Sequence, residues 1–241
     1  MLVRSSTSDR VVTVTLDSPA NRNALSRQLV GELGDALRAA AADDTAHGIL
    51  LTHTGPAFCS GAALDEMSSA DATSDGTRAM LTLFRLVLSL PIPVVALVDG
   101  ATRAGGIGVL ASCDVVLASA RSTFAFTEVR LGLAPAVISL PLRPLLTARA
   151  ASRYYQTGET FDAATAVALG LVSAVGDDAE AVLDGLRRAD RQGLRETRPL
   201  TTAERLRAID TDGSAMAELS GRLFASPVAK EHFAAFLGGR R

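Results

Sequence analysis

Tryptophan is absent from the 241 residues, and aromatic side chains make up only 4% of them. With 48% apolar residues, the core must be built from Ala, Leu and Val. That composition suits helices packed on a sheet and argues against an aromatic-rich β sandwich. Histidine is scarce, with three in the chain, and no G-x-S-x-G, H-E-x-x-H or Walker pattern occurs. His47 opens one expected strand, His53 ends it, and His232 falls in the C-terminal helical region, so each reads as a packing or surface residue. Cysteine is limited to Cys59 and Cys113, which lack metal-ligand spacing and are expected to be buried free thiols in a reducing cytoplasm. No sign of charge dominates: the net charge is −2, without a basic run, which argues against nucleic acid as a partner. No apolar run approaches the roughly 20 residues of a membrane span. The opening "MLVRSSTSDR" is too polar for a signal peptide, so a cytoplasmic chain without a membrane partner is expected.

What is present alternates between strand and helix signals. "VVTVTLD" (Val11 to Asp17) alternates apolar and polar residues, as a half-buried strand does. The turn-rich "SPANRNALS" follows, with Ser26 placed to cap a helix over Arg27 to Ala42. Leu29, Val30, Leu33 and Leu37 give that helix an apolar face. "HGILLTHTG", "PIPVVALVDG", "DVVLAS", "TFAFTE" and "GLVSAV" read as further strands. The helices "RAMLTLFRLVLSL", "VLASCD" and "FDAATAVALG" are interleaved with them, and "SSADATSDGT" (Ser68 to Thr77) reads as a polar loop. The alternation predicts an α/β fold with mainly parallel pairing. Residues 1–180 are expected to form the core, and 181–241 a charged, helical C-terminal region.

Three stretches could carry chemistry. "FCSGAALDEM" (Phe58 to Met67) has a Gly61-Ala62 step that could leave a backbone N–H facing a cleft; the plain alternative is a strand-to-helix turn. "RAGGIGVLASCD" (Arg103 to Asp114) places glycine amides at or near a helix N-terminus, where unpaired donors and the macrodipole favour negative charge. "GIGVLA" matches a loose dinucleotide fingerprint, but Asp99 to Gly105 separate it from the preceding strand and no carboxylate ends the next one. An oxyanion is the better filling: two backbone amides from separate loops converging on an acyl oxygen. "FTEVRLGLAP" sets Glu128 among Phe124, Phe126 and Leu131, where partial desolvation would raise its pKa and suit it to acid/base work. A salt bridge to Arg130 or a helix cap is the competing reading.

Taken in order, "SPANRNALS", "GPAFCSGAALDEM", "GATRAGGIGVLASCDVVLAS", "FAFTEVRLGLAP" and "QTGETFDAATAVALGLVSAV" closely resemble the enoyl-CoA hydratase/isomerase (crotonase) family, with a fainter echo in "AKEHFAAFL". The resemblance implies a spiral of repeated ββα units with a helical C-terminal part, assembled as a homotrimer or dimer of trimers. It implies an acyl-CoA thioester as ligand, coenzyme A being part of the substrate and no separate cofactor or metal being needed. Carried over residue by residue, Ala62 and Gly105 supply the two oxyanion amides, and Glu128 matches one of the two catalytic glutamates of typical hydratases. Arg22, Ala24, Ser60, Ala63 and Leu64 match positions around the CoA nucleotide and pantetheine. The stretches Ser68 to Leu81 and Ala136 to Leu142 are expected to line the acyl pocket.

Two departures from the family pattern matter. Its aspartate after the oxyanion residue is Ala63 here, and its second glutamate, five residues before Cys113, is Gly108. The wording is most similar to the methylglutaconyl-CoA or branched enoyl-CoA hydratase branch. The reading that leads on sequence is a hydratase with Glu128 acting alone. An enoyl-CoA double-bond isomerase comes second, since one glutamate suffices to move a proton. A non-catalytic acyl-CoA-binding member comes third.

Overall fold

A computed structural model of the chain describes residues 1–66, 70–176 and 178–238. It opens with the strands β1 (Val3–Ser8) and β2 (Val11–Leu16), an antiparallel hairpin. Asp9 and Arg10 form its two-residue turn with φ of 45° and 63°, the left-handed geometry that matches the twist of paired strands. Helix α1 (Arg27–Ala42) follows, and Ser26 caps it by accepting the Leu29 amide at 3.1 Å. Leu29, Leu33, Leu37 and Ala40 are buried along its inner face, and each leucine contributes about 1.5–3 kcal/mol by leaving water.

A repeating unit comes next. β3 (Gly48–His53), β4 (Ala57–Cys59) and α2 (Ala70–Ser89) form one turn of it; β5 (Val94–Val98), β6 (Ala101–Arg103) and α3 (Gly105–Ser112) form the next. β7 (Val115–Ala118) and β8 (Thr123–Ala125) begin a third, continued by α4 (Ala136–Leu142) and α5 (Ala148–Thr157). The first strands of each unit lie side by side in a six-stranded sheet, which β10 (Ala174–Val175) closes, in the order β1-β2-β3-β5-β7-β10. The second strands lie side by side in a smaller sheet, β4-β6-β8-β9, where β9 is Phe161–Asp162. Among the described residues only the β1–β2 and β8–β9 pairs are antiparallel. The spiral of ββα turns implied by the family resemblance is therefore present.

Helix α6 (Ala163–Leu169) precedes β10, and a helical stretch follows: α7 (Glu180–Arg188), the 34-residue α8 (Arg191–Phe224) and α9 (Pro227–Gly238). α8 packs across α2 and α4. Its buried face is Arg198, Thr202, Arg205, Ile209 and Gly213, spaced three and four apart. Among the described residues no helix is long and apolar enough to cross a membrane.

Two expectations need correction. The stretch expected as a polar loop, Ser68 to Thr77, is helical from Ala70 onward, Ser68 and Ser69 lying outside the described residues. It holds no proline, and the amphipathic run behind it extends backwards through alanines of high helix propensity. The seven residues between the strand "PVVALV" and Gly106 are not a simple loop, for they contain the strand β6. Three residues are too few to show a period of two.

Candidate active site

The chemistry-bearing segments follow three neighbouring strands of the small sheet. β4 pairs with β6, and β6 with β8, all parallel. Ala62 comes after β4, Gly105 after β6, and Glu128 after β8. Residues a whole helical crossover apart in sequence are thus neighbours at one edge, the carboxyl ends of parallel strands, where open α/β sheets place their ligands.

The first two loops touch. Gly61 has a φ of +94°, and a Cβ built on it would lie 3.0 Å from Ala104 Cβ and 3.8 Å from the Gly105 nitrogen. Gly61 is therefore required both by its backbone and by the closeness of the second loop. Its carbonyl accepts the Leu25 amide at 2.8 Å, and Leu25 forms a parallel bridge with Ala62. The Ala62 amide is left pointing away from that bridge, without an acceptor among the described residues. Ala104, between β6 and α3, holds φ 46° and ψ −120°, a conformation that a residue with a Cβ rarely adopts and that costs about 1–3 kcal/mol. Its own amide donates to Ala125 at 3.1 Å, tying the turn to β8. The sharp reversal leaves the Gly105 amide at the first position of α3, where it has no intrahelical partner.

Glu128 lies on a 3-10 turn, Thr127–Leu131, rather than at the end of a strand, and is buried. Burial raises its carboxyl to about 7, while its own backbone amide pulls weakly the other way. Oε2 is buried without a hydrogen-bond partner among the described residues. Neither the salt bridge to Arg130 nor a cap accounts for the side chain. The Tyr155 hydroxyl is pushed above its ordinary range, first by burial and then by the nearby Glu128 charge. Its ring meets Phe126 edge-on at 4.7 Å.

Position 108 is where the sequence lacks the second carboxylate, and the structure shows what stands there instead. A Cβ on Gly108 would lie 2.4 Å from Cζ of Phe84 and 2.8 Å from its Cε2. The ring comes from α2, is fully buried, and takes the volume that a side chain at 108 would need. Leu25 and Met80 close in at Gly105, 3.0 and 3.1 Å from where its Cβ would be. Phe84 and Leu25 were missed by sequence reading, because an apolar residue on an amphipathic helix or just before one carries no mark beyond core packing, whereas Met80 falls within the stretch Ser68 to Leu81 expected to line the pocket.

The five residues matched to the CoA positions fall on two stitched loops. Ser60 donates its amide to the Arg22 carbonyl at 3.0 Å and its hydroxyl to the Asn21 carbonyl at 3.3 Å. The Ala63 amide donates to the Leu25 carbonyl at 3.4 Å. Ala24 and Ala63 are buried, Arg22 is exposed, and Leu64 packs against the cluster of Leu133, Ala229 and Phe233. Asn23, fully buried, organises the first loop: its amide nitrogen donates to the carbonyls of Thr54 and Ala57, and its oxygen accepts the Ser18 amide. Of the stretches expected to line an acyl pocket, Ser68, Ser69 and the side chains of 70–74 lie outside what is described, whereas Met80 sits against Gly105. Ala136 to Leu142 form the largely buried α4.

The thiols and histidines stay out of the chemistry. Cys59 and Cys113 are buried and free, and burial pushes each thiol up to about 12. The His53 Nε2 accepts the Asp99 amide at 2.9 Å, a neutral ring in a structural role, and burial lowers its pKa.

Comparison with known proteins places the chain in a family. The family model described as enoyl-CoA hydratase/isomerase matches residues 6–234. An enoyl-CoA hydratase crystal structure from Mycobacterium avium superposes with a TM-score of 0.92 at 43% identity, covering 99% of this chain and 96% of that one. Among curated relatives, the mitochondrial enoyl-CoA hydratase domain-containing protein 3 of Danio rerio is 35% identical over 67% of this chain and 57% of its own length. The enoyl-CoA hydratase ACTT6 of Alternaria alternata is 32% identical over 80% of this chain and 64% of its own. The chain thus spans about three fifths of those two relatives. By sequence and by fold, it belongs to the enoyl-CoA hydratase/isomerase family.

Proposed function

We propose that this protein is an acyl-CoA enzyme that moves a double bond within an enoyl thioester, using Glu128 as its single acid/base. The observation that carries the reading is the Phe84 ring packed on Gly108, which puts an apolar surface where a second carboxylate would have to act. The thioester oxygen of a 3-enoyl-CoA accepts the Ala62 and Gly105 amides. The Glu128 carboxylate removes a proton from C2, and the electron pair spreads through the thioester as a dienolate held by those amides. Glu128 then returns the proton to C4, so one C–H bond breaks, one forms, and the double bond shifts from C3–C4 to C2–C3. A carboxyl near pH 7 suits both halves of the transfer, and removing one oxyanion donor typically costs about 3 kcal/mol of transition-state stabilisation. Arg22, Ala24, Ser60, Ala63 and Leu64 hold the CoA portion, which enters as substrate, with no further cofactor.

Hydration of a 2-enoyl-CoA is the second reading, favoured by the names of the relatives. It asks Glu128 both to activate water and to protonate C2. Ultraviolet absorbance of the conjugated thioester separates the two: isomerisation makes it grow from a 3-enoyl-CoA, and hydration makes it fade from a 2-enoyl-CoA. Straight and branched acyl groups belong in both assays, since the branch resemblance points to the latter. If neither substrate turns over while CoA thioesters bind tightly, the protein is a binding member of the family. Assembly as a homotrimer or dimer of trimers is part of the same proposal, and sedimentation of the chain tests it.

A further inference from the structure

Two arginines of α8 are buried, and one of them has no carboxylate partner. Arg205 is 6% exposed. Its Nη1 donates to the carbonyls of Ala111 at 2.8 Å and Cys113 at 3.0 Å, and its Nη2 to Thr201 on its own helix at 3.4 Å. Among the described residues no acid lies within ion-pair distance of it, and burial pulls its pKa down. The charge of nearby Asp114 offsets that burial in part, but every hydrogen bond of the guanidinium goes to a carbonyl, and such burial is costly, so what it touches is informative. Ala111 and Cys113 are the last turn and the C-cap of α3, the helix whose first residue is Gly105. Carbonyls at a helix end have no intrahelical partner, and a cation there aligns with the macrodipole. At 8 residues the helix is only about 12 Å long.

We propose that Arg205 is a positioning residue: by gripping the C-terminal end of α3 from α8, it fixes where the Gly105 amide sits at the other end. The proposal rests on reading Gly105 as an oxyanion donor. Arg198, seven residues earlier on the same face, provides the contrast. It donates to the carbonyls of Val87 at 2.6 Å and Leu88 at 3.1 Å at the end of α2, but it also pairs with Asp114 at 2.9 Å. Its burial is explained by that pair, and its grip falls on the helix that bears Phe84 rather than on the donor helix.

The test uses R205M, R205K and, as a control on the same helix, D210A, which removes only the exposed ion pair to Arg85. The readout is the infrared shift of the thioester carbonyl when a 2-enoyl-CoA binds, which reports the donors directly and needs no turnover. It is followed by kcat and KM on a 3-enoyl-CoA. For R205M the carbonyl shift should shrink and kcat fall about tenfold, part of the roughly 10²–10³ that a lost donor costs, with KM changed less than about threefold. R205K should recover much of both, and D210A should match wild type. A full carbonyl shift in R205M, or an R205K no better than R205M, overturns the proposal. Should R205M fail to fold, R205K alone decides: a carbonyl shift a little below wild type supports the proposal, and one equal to wild type overturns it. If wild type shows the shift but moves no double bond, the proposed reaction falls and the role of Arg205 is still judged on the shift. If wild type shows no shift, Gly105 is not a donor and the proposal falls with it.

Discussion

The proposed reaction turns on Glu128 and Gly108. Burial raises the Glu128 carboxyl to about 7 in the folded chain from an ordinary 4.5. Below the lower value the group is neutral in both states. As pH rises through the folded value, the native state holds a buried charge and loses stability, on the order of 3 kcal/mol for a shift of this size. E128Q removes that dependence: it should unfold at the same urea concentration as wild type near pH 4 and at a higher one near pH 8. In the proposed reaction the same titration governs catalysis, because the base is the Glu128 carboxylate. The wild-type kcat/KM should rise with pH through about 7, and E128Q should lose at least a hundredfold, in line with the roughly 10²–10⁴ of acid/base catalysis. At position 108 a side chain collides with Phe84, so G108E should cost about 1–3 kcal/mol by overpacking. G108E/F84A opens the space for the carboxylate and should acquire, or gain, hydration of a 2-enoyl-CoA. Urea unfolding and loss of the conjugated absorbance measure the two effects. That Glu128 would be perturbed was legible from its apolar flanks, Phe124, Phe126 and Leu131. The ring at Gly108 was not, since Phe84 lies 24 positions away on another helix.

Among elements, the tight join between β6 and α3 is where backbone strain is stored. A104G keeps the turn and relieves a conformation costing about 1–3 kcal/mol, against roughly 0.5–1 kcal/mol for the extra freedom of glycine when unfolded. It should therefore melt a few degrees higher than wild type in a thermal scan. Ser26, by contrast, is an ordinary cap bonded to the Leu29 amide, and S26A should lower stability by about 1 kcal/mol. Elements with a clear period were readable: α1 begins and ends where its cap and leucine spacing place it. The short strands β4, β6 and β9 were not, because two or three residues show no alternation and exist only through their neighbours in the sheet, whereas β10 lies within the expected strand "GLVSAV". The N-terminal part of α2 was misread for a related reason, being polar by composition yet helical by continuity with the amphipathic run behind it.

For the molecule as a whole, α8 grips the C-terminal ends of α2 and α3. R198M would leave the half-buried Asp114 beside carbonyls that have lost their donor, and should cost about 3 kcal/mol in urea unfolding. From sequence the C-terminal region read as a charged helical appendage, and its charges gave no reason to expect Arg198 and Arg205 inside. Helical spacing puts them on one face, but only packing against α2 and α4 makes that face an interior. The order of five short segments was enough for the resemblance to the family, and the resemblance implied the spiral of ββα units and the candidate residues Ala62, Gly105 and Glu128. Local chemistry by itself carries less: glycines where the backbone must turn, a carboxylate among aromatics, a capping serine before leucines at helical spacing. What the tertiary structure alone decided is the surroundings of those residues. The loops of Gly61 and Ala104 touch because β4 and β6 are neighbours, Phe84 fills the space above Gly108, and α3 is held at its far end by Arg205. Such contacts join residues tens of positions apart, and no local pattern encodes a distance across the fold.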